Sequence, residues 1–142
     1  MANHAFHEIY LHITWHNDHD RPITPEVETY LYDLIRAKCR MTSGVYLHGI
    51  GGTETHVHLA ISIEPTILIS ELIGEIKGAA SHDVNQRFTD HPIAWKRGYG
   101  VVSFSKRDLV WVLSYIQNQK QHHAQGTLSE KLERITTVES IQ

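Results

Sequence analysis

The chain has 142 residues, 41% apolar and 20% charged, enough to bury one core and too apolar for a disordered segment. Its formal net charge of −3 excludes the strongly basic class whose charge alone announces a nucleic-acid partner. The apolar stretches are strand-sized, the N-terminus lacks the pattern of a signal peptide, and the single Cys39 cannot form an internal disulfide. Together these point to a cytoplasmic chain with no membrane span and a buried, reduced thiol.

From His7 to His16, Ile9, Leu11, Ile13 and Trp15 alternate with Tyr10, His12, Thr14 and His16, the period of a strand. After a polar turn, Thr24-Pro25-Glu26 reads as N-cap, first-turn proline and first-turn acid. Val27, Tyr30, Leu31, Leu34 and Ile35 then recur at helical spacing as far as Gly44. Val45 to Ile50 is a short strand, Gly51-Gly52 a turn, and Thr55 to Ile63 a third strand. In that strand Val57, Leu59, Ile61 and Ile63 share one face, and His56, His58, Ala60 and Ser62 the other. Pro65-Thr66 opens a second helix running to about Phe88. Ile93 to Trp95 and Val101 to Phe104 read as strands. Ser105 to Asp108 has the form of a capping box, and a third helix follows from about Lys106 to Ala124, stopped by Gly126. Thr127 to Glu130 would cap a last short polar helix.

The order β-α-β-β-α-β-(β)-α is that of an α+β, ferredoxin-like domain: an antiparallel sheet with two helices on one face and an extra C-terminal helix. One domain over residues 1–125 is expected, followed by a short polar tail over 126–142.

Two constellations carry chemistry. His56 and His58 lie two apart on a strand and so share a face, the one turned from the first two helices. Twelve histidines make roughly one chance His-x-His pair expected, so exposed imidazoles and metal ligands are both open readings. Two imidazoles leave a metal short of ligands and with open positions. On the third helix, Tyr115, Gln119 and His122 form a stripe of phenol, amide and imidazole, unusual for either a core or a solvent face. A helix laid across the strand would bring a phenol beside a metal held by imidazoles and an amide oxygen, which suggests phosphodiester chemistry. His12, His16 and His48 could line the same sheet face, with nothing to single them out, while His4, His7, His19, His82, His91 and His123 read as surface residues.

From Lys77 to Arg107, six bases (Lys77, Arg87, Lys96, Arg97, Lys106 and Arg107) outnumber the acids Asp83 and Asp90. Trp95, Tyr99 and Phe104 are interleaved with them, so phosphate pairing and base stacking are as open a reading as a solvated hairpin over core aromatics.

The His56-Val57-His58 strand resembles the signature of the HUH endonucleases. Tyr115-Ile116-Gln117-Asn118-Gln119 resembles their single-tyrosine transposase branch, most nearly the transposases associated with repetitive extragenic palindromes. The resemblance implies that His56, His58 and Gln119 hold Mg²⁺ or Mn²⁺, that single-stranded or hairpin DNA is the substrate, and that the protein works as a homodimer. It implies that the Tyr115 oxygen attacks phosphorus, forming a 5′-phosphotyrosine link and freeing a 3′-hydroxyl, in DNA transposition or recombination. The family commonly has an acid directly before the first histidine; here that residue is Thr55, and Glu54 is the candidate outer partner of the site, with His122 hydrogen-bonding locally. Two other classes stay open: a domesticated, non-cleaving DNA- or RNA-binding module of the same fold, and a zinc-binding interaction domain.

Overall fold

The structure, a computed structural model, describes residues 5–135. His4 and residues 136–142 of the expected tail lie outside it. Four strands, β1 (Tyr10–His16), β2 (Val45–Gly52), β3 (His56–Ile63) and β4 (Gly100–Phe104), form one sheet in the order β2-β3-β1-β4, every neighbouring pair antiparallel. With helices α1 (Pro25–Met41) and α2 (Ile69–Arg87), this is the ferredoxin-like order expected from the alternating patterns. No helix among the described residues is long and apolar enough to cross a membrane.

Helix α1 begins where its signals place it. Thr24 accepts a hydrogen bond from the Val27 amide, Pro25 opens the first turn, and Glu26 and Glu28 face the positive end of the helix dipole. Its buried stripe Val27, Leu31, Ile35 and Cys39 meets Leu72, Ile73, Ile76, Ala80 and Val84 of α2. Both pack on the sheet face formed by Leu11, Ile13, Trp15, Val57, Leu59, Ile61 and Ile63. Fully burying such side chains is worth about 1.5–3 kcal/mol each, so strand register is firmly set: a one-residue slip would turn the whole row outward.

Five local expectations are corrected. Gly51 and Gly52 are not a turn; they end β2, and the reversal falls at residues 53–55. Helix α2 begins at Ile69 rather than Pro65, because Glu64 to Ile67 closes a turn through the Ile67 amide and Glu64 carbonyl. Ile93 to Trp95 is no strand but a single bridge, Asn17 with Trp95. The third helix is divided into a 3-10 turn at Lys106–Asp108, α3 (Leu109–Gln117) and α4 (Gln119–Gln125). Ser105 makes no side-chain cap to a backbone amide; its hydroxyl donates to the Asp108 carboxylate instead. The break at Asn118 has a local cause: its side-chain amide donates to the Ser114 carbonyl at 2.9 Å, competing with the helical ladder. Gly126, left-handed at φ 70°, stops α4 as expected, and α5 (Glu130–Glu133) follows, capped by Ser129.

Helix α3 lies on the sheet face opposite α1 and α2, packing Val112 and Ile116 against Ala60. Two glycines of β2 allow this approach. A Cβ on Gly49 would sit 2.5 Å from Leu113 Cδ2, and one on Gly51 would be 3.0 Å from Ile116 Cγ2 and nearer still to the Ile116 carbonyl oxygen. Gly51 pairs with His58 in the sheet, so the helix crosses directly over the histidine strand.

Candidate active site and metal centre

Antiparallel register places His56 opposite His16, His58 opposite Thr14, and Ala60 opposite His12. Residues directly opposed share a face, so these side chains line one surface, the one α3 covers. Both His56 and His58 are buried there, roofed by α3, α4 and α5 rather than open to solvent.

Four groups converge. His56 Nε2 lies 2.8 Å from His123 Nε2 and 3.1 Å from Glu133 Oε1. The same carboxylate oxygen is 3.4 Å from His58 Nε2 and 3.5 Å from His123 Nε2. The other oxygen, Oε2, accepts the hydrogen bond of the Tyr115 hydroxyl, which in turn accepts from the Ser129 backbone N–H at 2.9 Å. One carboxylate therefore joins the phenol to three imidazoles. Gln119 is buried beside them; its Oε1 is 3.0 Å from His123 Nε2, and its Nε2 donates to the Tyr115 carbonyl.

A second layer fixes the rings. His58 Nδ1 meets His12 Nε2 at 2.9 Å, and His56 Nδ1 meets Thr55 Oγ1 at 2.8 Å. His16 stacks on His56 with centroids 4.7 Å apart. Glu54 is corrected here: it is exposed in the turn before β3, where alternation no longer governs direction, and Thr55 and Thr53 face the His56 ring instead. His122 makes its local bond, Nδ1 to Thr127 Oγ1 at 2.8 Å, and stacks on the Tyr115 ring without joining the cluster. His123 is also corrected, from surface residue to member of the cluster. His19, His82 and His91 are exposed as expected.

Burial sets the electrostatics. It lowers the proton affinity of His58 and His123 despite the nearby carboxylate, and it takes His12 down to about 3, with the His58 charge adding to the effect. These imidazoles are therefore neutral and keep lone pairs. Burial also raises the Glu133 carboxyl, but hydrogen bonds from His56, His58 and Tyr115 more than reverse this and hold it well below the usual carboxylate range. The Tyr115 phenol is pushed up to about 12, chiefly by burial and then by the Glu133 carboxylate.

The donor set fits a divalent metal. His56, His58, His123 and Glu133 each offer a ligand atom, all within 4.8 Å of one another. His58 Nε2 is fully buried and faces this group, with the Glu133 carboxylate 3.4 Å away, a setting in which a lone packing imidazole would be costly. Its other nitrogen is engaged by His12, the outer contact that orients a metal-ligating imidazole. Three nitrogens and a carboxylate suit Mn²⁺, Co²⁺ or Zn²⁺ better than Mg²⁺, which prefers oxygen.

The candidate cations are dispersed. Lys77 and Arg87 belong to α2, on the far side of the sheet. Lys77 donates to the Lys96 and Gly98 carbonyls, both at 3.1 Å, and Arg87 lies over the Tyr30 ring. Lys96, Arg97, Lys106 and Arg107 are exposed, the last two in the turn leading into α3. Sequence reasoning missed Glu133 and the role of His123. A carboxylate followed by Arg134 in a polar tail has no local signature, whereas His123, four after Gln119 and eight after Tyr115, falls on the same helical stripe and that spacing was the signal available.

Known proteins share this arrangement of elements. A protein of Deinococcus radiodurans R1, described from its crystal structure as a transposase, superposes with a TM-score of 0.67 at 20% identity, over 84% of this chain and 96% of that one. A REP-associated tyrosine transposase, solved bound to a REP hairpin, superposes with a TM-score of 0.62 at 13% identity, over 90% of this chain and 76% of that one. At these identities the likeness is one of fold. A comparison with curated proteins finds no match. Residues 5–119 match the family described as "Transposase IS200 like", and the chain therefore belongs to that transposase family.

Proposed function

We propose that the chain cleaves and rejoins single-stranded DNA at or near hairpins, with Tyr115 as nucleophile and His56, His58 and Gln119 around a divalent metal, Mn²⁺ or Mg²⁺. One observation carries this reading: the Tyr115 hydroxyl and the three imidazoles are linked through a single carboxylate, so phenol and donor cluster lie within the width of one charged group. A scissile phosphate has that width, with one oxygen for the cluster and phosphorus for the phenol. The metal, when bound, supplies Lewis-acid polarisation of the phosphoryl oxygen.

The remaining work falls to the chain. His12 and Thr55 hold the imidazoles in place. The Tyr115 oxygen forms its bond to phosphorus as the bond from phosphorus to the 3′ oxygen breaks; the phenolic proton passes to solvent, and the departing oxygen takes one up to become a 3′-hydroxyl. The reverse attack by that hydroxyl, or by another DNA end, rejoins the strand. The bond energy is held in the phosphotyrosine, so no nucleotide cofactor is needed. Exposed Lys96, Arg97, Lys106 and Arg107 are the proposed phosphate contacts; Lys77 holds the 96–98 loop that presents two of them, and Arg87 would extend the basic region along α2. Homodimer formation belongs to the same proposal, although Tyr115 here meets the cluster of its own chain.

The test is incubation with end-labelled single-stranded hairpin DNA and Mn²⁺, followed by a denaturing gel. Wild type should give a covalent protein–DNA band and Tyr115→Phe none. Hairpin binding without any cleavage product, across Mg²⁺ and Mn²⁺, would instead favour the non-cleaving module.

A further inference from the structure

We propose that the segment after Gly126 supplies an additional ligand to the metal centre, the Glu133 carboxylate, and that the DNA phosphate must displace this carboxylate to reach Tyr115. The inference rests on the strand-transfer reading for its second half and on geometry alone for its first. Donor atoms in a tetrahedral site with bonds near 2.0–2.1 Å lie about 3.3 Å apart. Four of the six separations among His56, His58, His123 and Glu133, at 2.8, 3.1, 3.4 and 3.5 Å, bracket that spacing, and all six lie within 4.8 Å. Four such ligands would close a tetrahedral centre, and Glu133 is the one of them that also engages Tyr115.

The carboxylate occupies the place a phosphate needs. Oε1 faces the imidazoles, and Oε2 takes the Tyr115 hydroxyl, the same two-point contact required of a scissile phosphate. The nucleophile is doubly engaged, since Ser129 N–H also donates to its oxygen. Both groups come from one short segment. That segment is built to be displaced: α5 is four residues long, and Leu132 is its only buried residue. It lies so close to β4 that a Cβ on Gly100 would fall 3.1 Å from the Arg134 carbonyl carbon and nearer still to its oxygen.

Gly100 thus offers a way to dislodge the segment without altering charge or any donor atom. Calorimetric titration with Mn²⁺ and Co²⁺, and binding of a single-stranded oligonucleotide in Mn²⁺, should be measured on full-length wild type, Glu133→Gln and Gly100→Ala. Both variants should bind metal at least about tenfold more weakly and the oligonucleotide severalfold more tightly than wild type. Unchanged metal affinity in Glu133→Gln overturns the ligand assignment. Weaker oligonucleotide binding in both variants overturns displacement, as does loss of covalent adduct in Glu133→Gln at saturating metal, which would make Glu133 a participant in the reaction. Adduct absent from every protein, wild type included, with the binding changes intact, counts against the strand-transfer reading and leaves the displaced ligand standing.

Discussion

Gly51→Ala tests how the nucleophile is positioned, because it touches neither the phenol nor the imidazoles. The new methyl would lie 3.0 Å from Ile116 Cγ2 and nearer to the Ile116 carbonyl oxygen, where ordinary contact begins at 3.4 Å. The obstacle is helix backbone, which cannot rotate aside, so α3 must lift by about 1 Å at the residue next to Tyr115. Overpacking of this kind costs about 1–3 kcal/mol, or roughly 3–10 °C in Tm for a chain of this length. A displacement of about 1 Å in a reacting group costs on the order of 100-fold in rate. Adduct formation under single-turnover conditions, beside a thermal melt, reads both. Gly74→Ala on α2 is the control: no atom lies within 4 Å of its Cβ, and replacing a helical glycine should raise stability by roughly 0.5–1 kcal/mol without changing the rate. A Gly51→Ala protein that forms adduct at the wild-type rate would show that α3 does not set the position of Tyr115.

Other perturbations follow from the same geometry. His58→Ala should abolish the stabilisation that Mn²⁺ gives wild type, roughly 2.7 kcal/mol at 100 times the dissociation constant; an equal rise in Tm in both proteins would remove His58 from the centre. Metal-free protein should lose stability in acid. His12 is held neutral when folded, down to about 3, whereas the unfolded residue protonates near 6.5; the unfolded state therefore binds more protons across that window and stability falls as pH falls. From pH 7.5 to 5 this one group accounts for roughly 2 kcal/mol, and denaturant unfolding of His12→Asn should show a shallower slope over the same range. Lys106→Ala with Arg107→Ala should weaken hairpin binding and flatten its salt dependence, while Asp33→Ala on α1 changes neither.

The fold was legible because its signals are local and periodic. The strict alternation of Val57, Leu59, Ile61 and Ile63 named the core face of β3 and so, by subtraction, the face that His56 and His58 occupy. Thr24, Pro25 and Gly126 marked helix ends through their own backbone chemistry. What escaped depends on contacts distant in sequence. Gly51 looks like a turn residue until Ile116, 65 positions later, is seen to need the space. His123 lies on the helical stripe of Tyr115 and Gln119, but among twelve histidines nothing local marked it out until Glu133 was seen to meet it. Glu133 returns on α5, whose one buried residue is Leu132, too little pattern to announce a docked segment. The outer contacts were half-legible: an acid was expected beside His56, and threonine hydroxyls take that position because β3 starts only at His56 itself.

The most direct measurement is the chemical identity of the linkage to DNA. Adduct formed with Mn²⁺ should be digested with nuclease and trypsin and the modified peptide sequenced by mass spectrometry. The remnant nucleotide is expected on the peptide from Asp108 to Lys120, at Tyr115, its one tyrosine. A nucleotide on any other residue, or wild-type protein that cleaves DNA without ever carrying one, contradicts the account.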